Sequence, residues 1–416
     1  MNASMNFRRR SAGGRPARPS GGGGADDEVT RPIPAQPAAT SFDTPRRADA
    51  LERQPVLVQA ARVAVFGAFG LWTRVARKVA SQFGWFPRVE PYAGYGTGAY
   101  SRLICRTVLA PANRASGVVM RGIRTAMMVP APGVRVRISI DGVPLTTVQV
   151  GVSEIYDAVD PARDQGSEFA VSDSSGYLDL VAERTLAPGP HHVSYEVARR
   201  KPCSAKLYTI DRSARVGIIS DIDDTVLVTQ APLLMRAAIN LLFRDPRSRR
   251  SVPGMAVFYN RLRELLPDAP FFYLSTSPWN IEASLRHFLE SYGFPDGPLL
   301  LRDLDPRPKT FVPTGVKHKL EFAEQLMADF PDMRFILLGD DGQKDPSTYA
   351  TIARRYPGRV IAIGLRQLPR HESVLTRGVV RPAEIMPECP APVFYGVTGV
   401  NLMNTMMPYL KRALVK

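Results

Sequence analysis

The sequence predicts an α/β chain in which a doubly wound parallel sheet is preceded by a small β-sandwich domain. Three observations carry this expectation. From Lys206 onward, apolar runs ending at Ser220, Ser275, about Leu301, Gly339 and about Gly364 alternate with helical patterns, as in a parallel sheet covered on both faces. Between about Pro91 and Arg200 the apolar runs are shorter, some alternate, and turn signals such as Asp141-Gly142 separate them, as in a sandwich. Two of the parallel runs end in carboxylates: Asp221, Asp223 and Asp224 after the first, Asp340 and Asp341 after the fourth. Open α/β sheets bind ligands just beyond the carboxyl ends of their strands.

Taken in order, residues 1–51 are rich in Gly, Pro, Ala, Ser and Arg without a hydrophobic period, and are expected to be a disordered basic tail. Residues 52–88 read as a basic amphipathic helical segment. Val58, Ala61, Val65, Phe69 and Trp72 recur on one face, and Arg62, Arg74, Arg77 and Lys78 lie among them. Two readings stay open there: a helix lying on an anionic membrane surface, or one packed on its own protein or a second subunit. Residues 89–205 form the expected β-sandwich, entered through PYAGYGTGAY, a tight aromatic turn or a ligand cradle. Residues 206–385 form the expected parallel-sheet domain, with 227–270 as a small cap insert longer than a direct crossover requires. Residues 386–416 complete the chain as a tail or helix.

The formal net charge of +15 points to an anionic partner: a phosphate-bearing substrate, an acidic membrane surface or nucleic acid. No zinc-finger or RNA-recognition signature and no aromatic–basic interleaving occurs, so nucleic acid ranks last. Cys105, Cys203 and Cys389 are widely separated and odd in number, which suits a reducing compartment. The N-terminus has no secretory pattern, and the apolar run Val63 to Trp72 is about half a membrane-spanning length. The expected location is cytoplasmic, with peripheral membrane attachment through 52–88 left open.

The site residues follow from strand ends. Repelling carboxylates at Asp221, Asp223 and Asp224 are most easily retained around a cation, and Thr225 adds a hydroxyl at the loop mouth. In PFFYLSTSPWN, Ser275 stands where the apolar run stops, and its hydroxyl suits a phosphate oxygen; Ser277 is a near-equal candidate or a helix N-cap. Trp279 and Asn280 open the next helix, whose first amides favour an anion. In TGVKHKLEF, Lys317 and Lys319 share one helical turn. Lys319 is favoured, because it precedes Phe322, Ala323 and Leu326 on the inward face. His318 has no second His at a ligand spacing. RFILLGDDGQKD supplies Asp340, Asp341 and Asp345, and oxygen-only ligands of this kind suit Mg²⁺.

In order, D-x-D-x-T, a strand-end Ser, a helix-start Lys and G-D-x-x-x-x-D resemble the four motifs of the haloacid-dehalogenase-like superfamily. The finer spelling, SDIDDT, the Pro253-Gly254-Met255 turn, YLSTSPWN, and LLGDDGQKDP with Tyr349, resembles the actin-patch phosphatidate phosphatase family over about Val216 to Arg366. The β domain is similar to that of bacterial members. The resemblance implies that Asp221 attacks phosphorus to form an aspartyl-phosphate and that Asp223 is the general acid/base. It also implies a Mg²⁺ held by Asp221, the Asp223 carbonyl and Asp340, with Asp341 as a further ligand. That family often has Ser where Asp341 stands, so the ligand set stays open among Asp340, Asp341 and Asp345.

The leading expectation is a Mg²⁺-dependent phosphatidate phosphatase. The insert places an apolar helix, Leu233 to Phe243, beside Arg244, Arg247, Arg249 and Arg250, which suits a lipid phosphate or a helix packed on the core. The alternatives are a phosphatase of soluble phosphate esters or phosphoproteins, and a non-catalytic membrane-associated adaptor.

Overall fold

The computed structural model describes residues 71–111, 129–151, 156–157, 168–172, 176–198, 200–228, 250–302, 315–341, 344–369 and 386–414. The expected tail 1–51, the first part of the amphipathic segment and the Leu233–Phe243 helix with its arginines lie outside the described residues. The amphipathic segment is helical over 71–82.

Ten strands follow: β1 (Phe86–Gly96), β2 (Ser101–Ala110), β3 (Val129–Pro130), β4 (Val134–Ile140), β5 (Val143–Val150), β6 (Tyr156–Asp157), β7 (Glu168–Ser172), β8 (Tyr177–Ala182), β9 (Gly189–Val197) and β10 (Cys203–Thr209). They hydrogen-bond in the order β5-β4-β9-β10-β1-β2-β8-β7-β6, with β3 on β2. Asp141-Gly142 makes the predicted two-residue hairpin between β4 and β5, both residues at positive φ (48° and 80°) as a type I′ turn requires. Alternate residues, among them Val136, Ile138, Leu103, Leu178, Leu180 and Leu207, form this sheet's own core.

The second sheet is all parallel. It is built from β11 (Val216–Asp221), β14 (Phe271–Pro278), β15 (Leu299–Arg302), β16 (Arg334–Asp340), β17 (Val360–Arg366) and β18 (Val393–Gly396). The sixth strand was not expected from sequence. Two short strands, β12 (Leu227–Val228) and β13 (Arg250–Ser251), pair separately. The parallel order is β15-β14-β11-β16-β17-β18, so the chain moves outward from β11 on one side and then returns to build the other. The strand order reverses between β11 and β16, the place where open α/β sheets have their ligand crevice, at the carboxyl ends.

Strand alternation divides the core in two. Ile219, Phe272, Leu274, Phe335 and Leu337 pack with helices α3 (Gly315–Asp329) and α4 (Asp345–Arg355). Ile218, Phe271, Tyr273, Ile336 and Leu338 pack with α1 (Met255–Leu265), α2 (Glu282–Ser291) and α5 (Gly399–Leu414). Part of the expected insert is therefore core: α1 buries Met255, Phe258, Tyr259 and Leu262. Residues 229–249 of that insert lie outside the described residues.

The aromatic motif at the end of β1 locks the two sheets together. Its pairing with β2 slips between Tyr92 and Tyr95, and a Cβ on Gly94 would stand 2.2 Å from the Arg102 carbonyl oxygen. The slip sends Tyr92 into the core beneath α1 and α2, and Tyr95 into the core beneath α3 and α4. There the Tyr95 hydroxyl donates to Asp329 Oδ2 at 2.8 Å. A second polar seam joins Lys206 and Tyr208 to Asp296, at 2.8 and 2.7 Å, with Arg286 donating to the Tyr208 hydroxyl at 2.9 Å.

Candidate active site

The last residue of β11 is Asp221, and the chain then folds into a tight loop. The amides of Val226 and Leu227 both donate to the Ile222 carbonyl at 3.0 and 3.1 Å, and the Asp224 amide donates to Leu227 O at 2.8 Å. Asp224 sits at a φ of 60°, a left-handed conformation that Asp adopts more readily than most residues. The Arg366 guanidinium, at the end of β17, donates to the Asp224 carbonyl at 2.8 Å and ties the loop to a strand end on the far side of β16.

Lys319 reaches the crevice from the first turns of α3. Its ammonium lies 2.9 Å from Asp221 Oδ1 and 2.5 Å from Asp345 Oδ1. The preference for Lys319 over Lys317 therefore matches the placement of its side chain; that of Lys317 lies outside the described residues. The other Asp345 oxygen accepts the Asp340 amide at 3.3 Å. Asp345 comes this close because Gly339 has no side chain: a Cβ there would stand 2.5 Å from Asp345 Oδ2 and 2.7 Å from the Tyr349 ring. Tyr349 in turn donates to the Leu338 carbonyl at 2.8 Å and fixes α4 against β16.

Asp221, Asp340 and Asp345 are all buried, with ligand oxygens within 4.8 Å of one another, a grouping that fits a metal ion. Asp221 Oδ2 is buried with no hydrogen-bond partner among the described residues. Burial pushes the Asp221 carboxyl well above the ordinary range; Lys319 opposes this, while Asp345 and Asp223 add to it. Burial likewise raises Asp340, with Asp345, Asp221 and Asp224 adding to the effect. For Lys319 burial acts downward, but Asp221 and Asp345 outweigh it and hold the ammonium strongly protonated. Three carboxylates against one ammonium leave surplus negative charge in a dry pocket, which an oxygen-bound divalent cation offsets.

Asp341 is not in this group. Strand alternation turns it away from Asp340, and its Oδ1 accepts the Leu368 amide at 2.9 Å. Asp345 stands in the cluster instead. Asp223 directs its carboxylate toward the second motif, accepting from Ser275 Oγ at 2.8 Å and Ser277 Oγ at 3.1 Å. The Ser277 amide donates to Ser275 Oγ at 2.9 Å and orients that hydroxyl. Both serines therefore meet at Asp223. Thr225 is buried, its hydroxyl without a hydrogen-bond partner among the described residues.

Trp279 departs from the expectation of a substrate contact. It is 1 % exposed and packs on Tyr92 of β1, ring centroids 5.1 Å apart, so it belongs to the seam between the sheets. The Asn280 side chain lies outside the described residues. His318 is buried with its ring edge on Phe322 and is not among the grouped ligands. Sequence reasoning missed Arg366, whose only signal was its place at a strand end beside the site. It also missed Tyr259, whose hydroxyl lies 2.6 Å from Ser220 Oγ beneath Asp221.

Residues 216–367, which contain all of these groups except Tyr92 and Leu368, match the family described as "Phosphatidate phosphatase APP1, catalytic domain". Over these residues the chain is similar to that family. It is 28 % identical over 208 residues to "Phosphatidate phosphatase APP1" of Saccharomyces cerevisiae, covering 49 % of this chain and 35 % of the yeast protein. An uncharacterized protein of Schizosaccharomyces pombe is 24 % identical over 169 residues, 40 % of this chain and 27 % of that protein. The chain thus spans about a third or less of the length of these curated relatives. A solved structure of tandem Ig repeats of Dlar overlaps 34 % of this chain and 62 % of that one, with 13 % identity and a TM-score of 0.18, too low to carry an argument. The family match begins at the first residue of β11 and ends just past β17. It therefore spans the switch point and every strand end that contributes a carboxylate, and it leaves out the first sheet, β18 and α5.

Proposed function

We propose that this chain is a Mg²⁺-dependent phosphatidate phosphatase. The observation that carries the proposal is the surplus of buried carboxylates, Asp221, Asp340 and Asp345 around one lysine, at the switch point of a family-matched parallel sheet. In this reading residues 206–385 are a haloacid-dehalogenase-like, doubly wound catalytic domain with its cap within 227–270, and residues 89–205 are a β-sandwich that supports it. A cytoplasmic, membrane-peripheral location belongs to the same proposal. Among the described residues no helix is long and apolar enough to cross a membrane.

Asp221 Oδ2 is the nucleophile: it bonds to phosphorus as the bond from phosphorus to the lipid oxygen breaks. Lys319, 2.9 Å from the other Asp221 oxygen, holds that carboxylate in place and offsets charge as the phosphoryl group transfers. Asp223 gives its proton to the departing diacylglycerol oxygen. It then takes one from water, which attacks the aspartyl-phosphate and releases inorganic phosphate. Ser275 and Ser277 fix the Asp223 carboxylate, and one of the two hydroxyls turns to a phosphoryl oxygen when substrate is present. Asp221, Asp340 and Asp345 fit a bound Mg²⁺, which would screen the repulsion between carboxylate and phosphate.

The test is phosphate release from phosphatidate in mixed micelles and from an aryl phosphate, each with Mg²⁺ or EDTA. Mg²⁺-dependent release that favours the lipid is expected. Turnover of the aryl phosphate alone would keep the chemistry and remove the lipid, and no turnover of either would favour a non-catalytic adaptor.

A further inference from the structure

The helix over 71–82 presents its faces in an unusual order. Thr73, Ala76 and Ala80 are its least exposed residues, at three- and four-residue steps, and make the face that meets the protein. They are small, so this face covers little apolar area of its own. Its large apolar residues point away. Among the described residues, eleven large hydrophobics are exposed, and five of them, Leu71, Trp72, Val75, Val79 and Phe83, fall within this short stretch. Leu71 is 60 % and Phe83 77 % exposed. Leu71, Val75 and Val79 stand four residues apart and form a stripe along one flank.

The opposite flank is cationic. Arg74, Arg77 and Lys78, with Ser81 and Trp85, line a groove of about 500 Å³ closed by β1, β2 and β4, and no acidic residue lines it. Nor does residue 71–86 include an acid. An apolar stripe beside a cationic groove suits a surface with hydrocarbon at one level and phosphate at the next.

We propose that residues 71–85 seat this chain on an anionic phospholipid bilayer. Leu71, Val75, Val79 and Phe83 enter the interfacial layer, and Arg74, Arg77 and Lys78 take lipid phosphates in the groove, with Trp85 at headgroup depth. Charge selects this occupant. A second copy would bring the same three cations against one another, and residues 1–70 carry ten arginines against six acids, so they also repel the groove. The binding stands on this surface alone; its use in delivering the enzyme to phosphatidate rests on the function proposed above.

The test is co-sedimentation of the full chain with vesicles of phosphatidylcholine alone and of phosphatidylcholine with phosphatidylglycerol. Three variants accompany the wild type: Val75→Asp with Val79→Asp, Arg74→Ala with Arg77→Ala and Lys78→Ala, and Asp221→Asn. Wild type and Asp221→Asn are expected to bind the anionic vesicles and to leave the neutral ones. The two surface variants should bind on the order of 100-fold more weakly, at about a factor of five per lost cation in the basic set. They should keep the wild-type melting temperature and its turnover of a soluble aryl phosphate. Equal sedimentation with both vesicle types overturns the proposal, as does wild-type binding by the surface variants. So does a concentration-dependent dimer that Val75→Asp with Val79→Asp dissolves. A chain that binds vesicles through this surface but hydrolyses no phosphate ester would overturn the function and leave the docking surface standing.

Discussion

The two sheets each bury charge, and they do it in opposite ways. In the first, Arg102 and Asp179 lie on adjacent strands, each 1 % exposed, paired fork to fork with one bond of 2.9 Å from Nε to Oδ1. Burial acts to lower the Arg102 pKa, but Asp179 outweighs it and keeps the guanidinium firmly charged. One cation meets one anion, and the account closes. In the second sheet Lys319 and Asp221 are buried to nearly the same degree, 4 % and 1 %. Yet Lys319 faces Asp345 as well, with Asp340 beside them. Matched buried charge needs nothing further to hold the fold together. Unmatched buried charge of the same depth calls for a further cation, and it marks the place proposed above for the chemistry.

That contrast can be broken at its strongest point first. Asp221→Asn is expected to lower phosphate release by at least about 1,000-fold, because the proposed nucleophile is removed. It should leave the metal-free protein as stable as wild type or more so, since one surplus buried carboxylate is gone. Turnover and urea melts in EDTA check the two halves together. Asp179→Ala should do the reverse, costing about 3–5 kcal/mol of stability by leaving Arg102 buried without its carboxylate. A urea midpoint unmoved by Asp179→Ala would dissolve the distinction between the two pairs.

Smaller changes sharpen the picture. Ser275→Ala removes the 2.8 Å bond to Asp223 and the acceptor for the Ser277 amide, and is expected to lower turnover by about 10- to 100-fold. Ser277→Ala should cost less, since its bond is longer at 3.1 Å and Ser275 still holds Asp223. Steady-state rates on an aryl phosphate rank the two.

The seam at Asp296 gives the smallest effect. Partial burial acts to raise this carboxyl, but hydrogen bonds from Lys206 and Tyr208, with the charges of Lys206 and Arg286, hold it below the ordinary value. A depressed carboxyl contributes stability above its unfolded pKa of about 3.9 and loses it as pH falls through the folded value. Asp296 is half exposed, so the contribution is under about 1 kcal/mol. Asp296→Asn should therefore flatten the acid limb of the stability curve below about pH 4, as melts at a series of pH values would measure.

Much of this was legible in the sequence because strands of a parallel sheet are short, apolar and end abruptly. Val216 to Asp221 and Arg334 to Asp340 announce themselves, and so does Lys319 by its place before Phe322 and Leu326. Three things were not legible, each for a physical reason. Asp345 and Asp341 are one helix start and one strand residue apart from Asp340, and choosing between them needs the alternation of β16 together with the space left by Gly339. Trp279 looks like a pocket residue beside Ser277, and only the distant Tyr92 turns it inward. The sixth strand, Val393–Gly396, is too short to show a period, and is defined by its pairing with β17.

Calorimetric titration of Mg²⁺ into the full chain, wild type beside Asp340→Asn, tests most directly whether the unmatched carboxylates form a cation site. About one ion is expected to bind per wild-type chain, with at least tenfold weaker binding in the variant. Absence of binding to the wild type, or equal binding by both proteins, would contradict it.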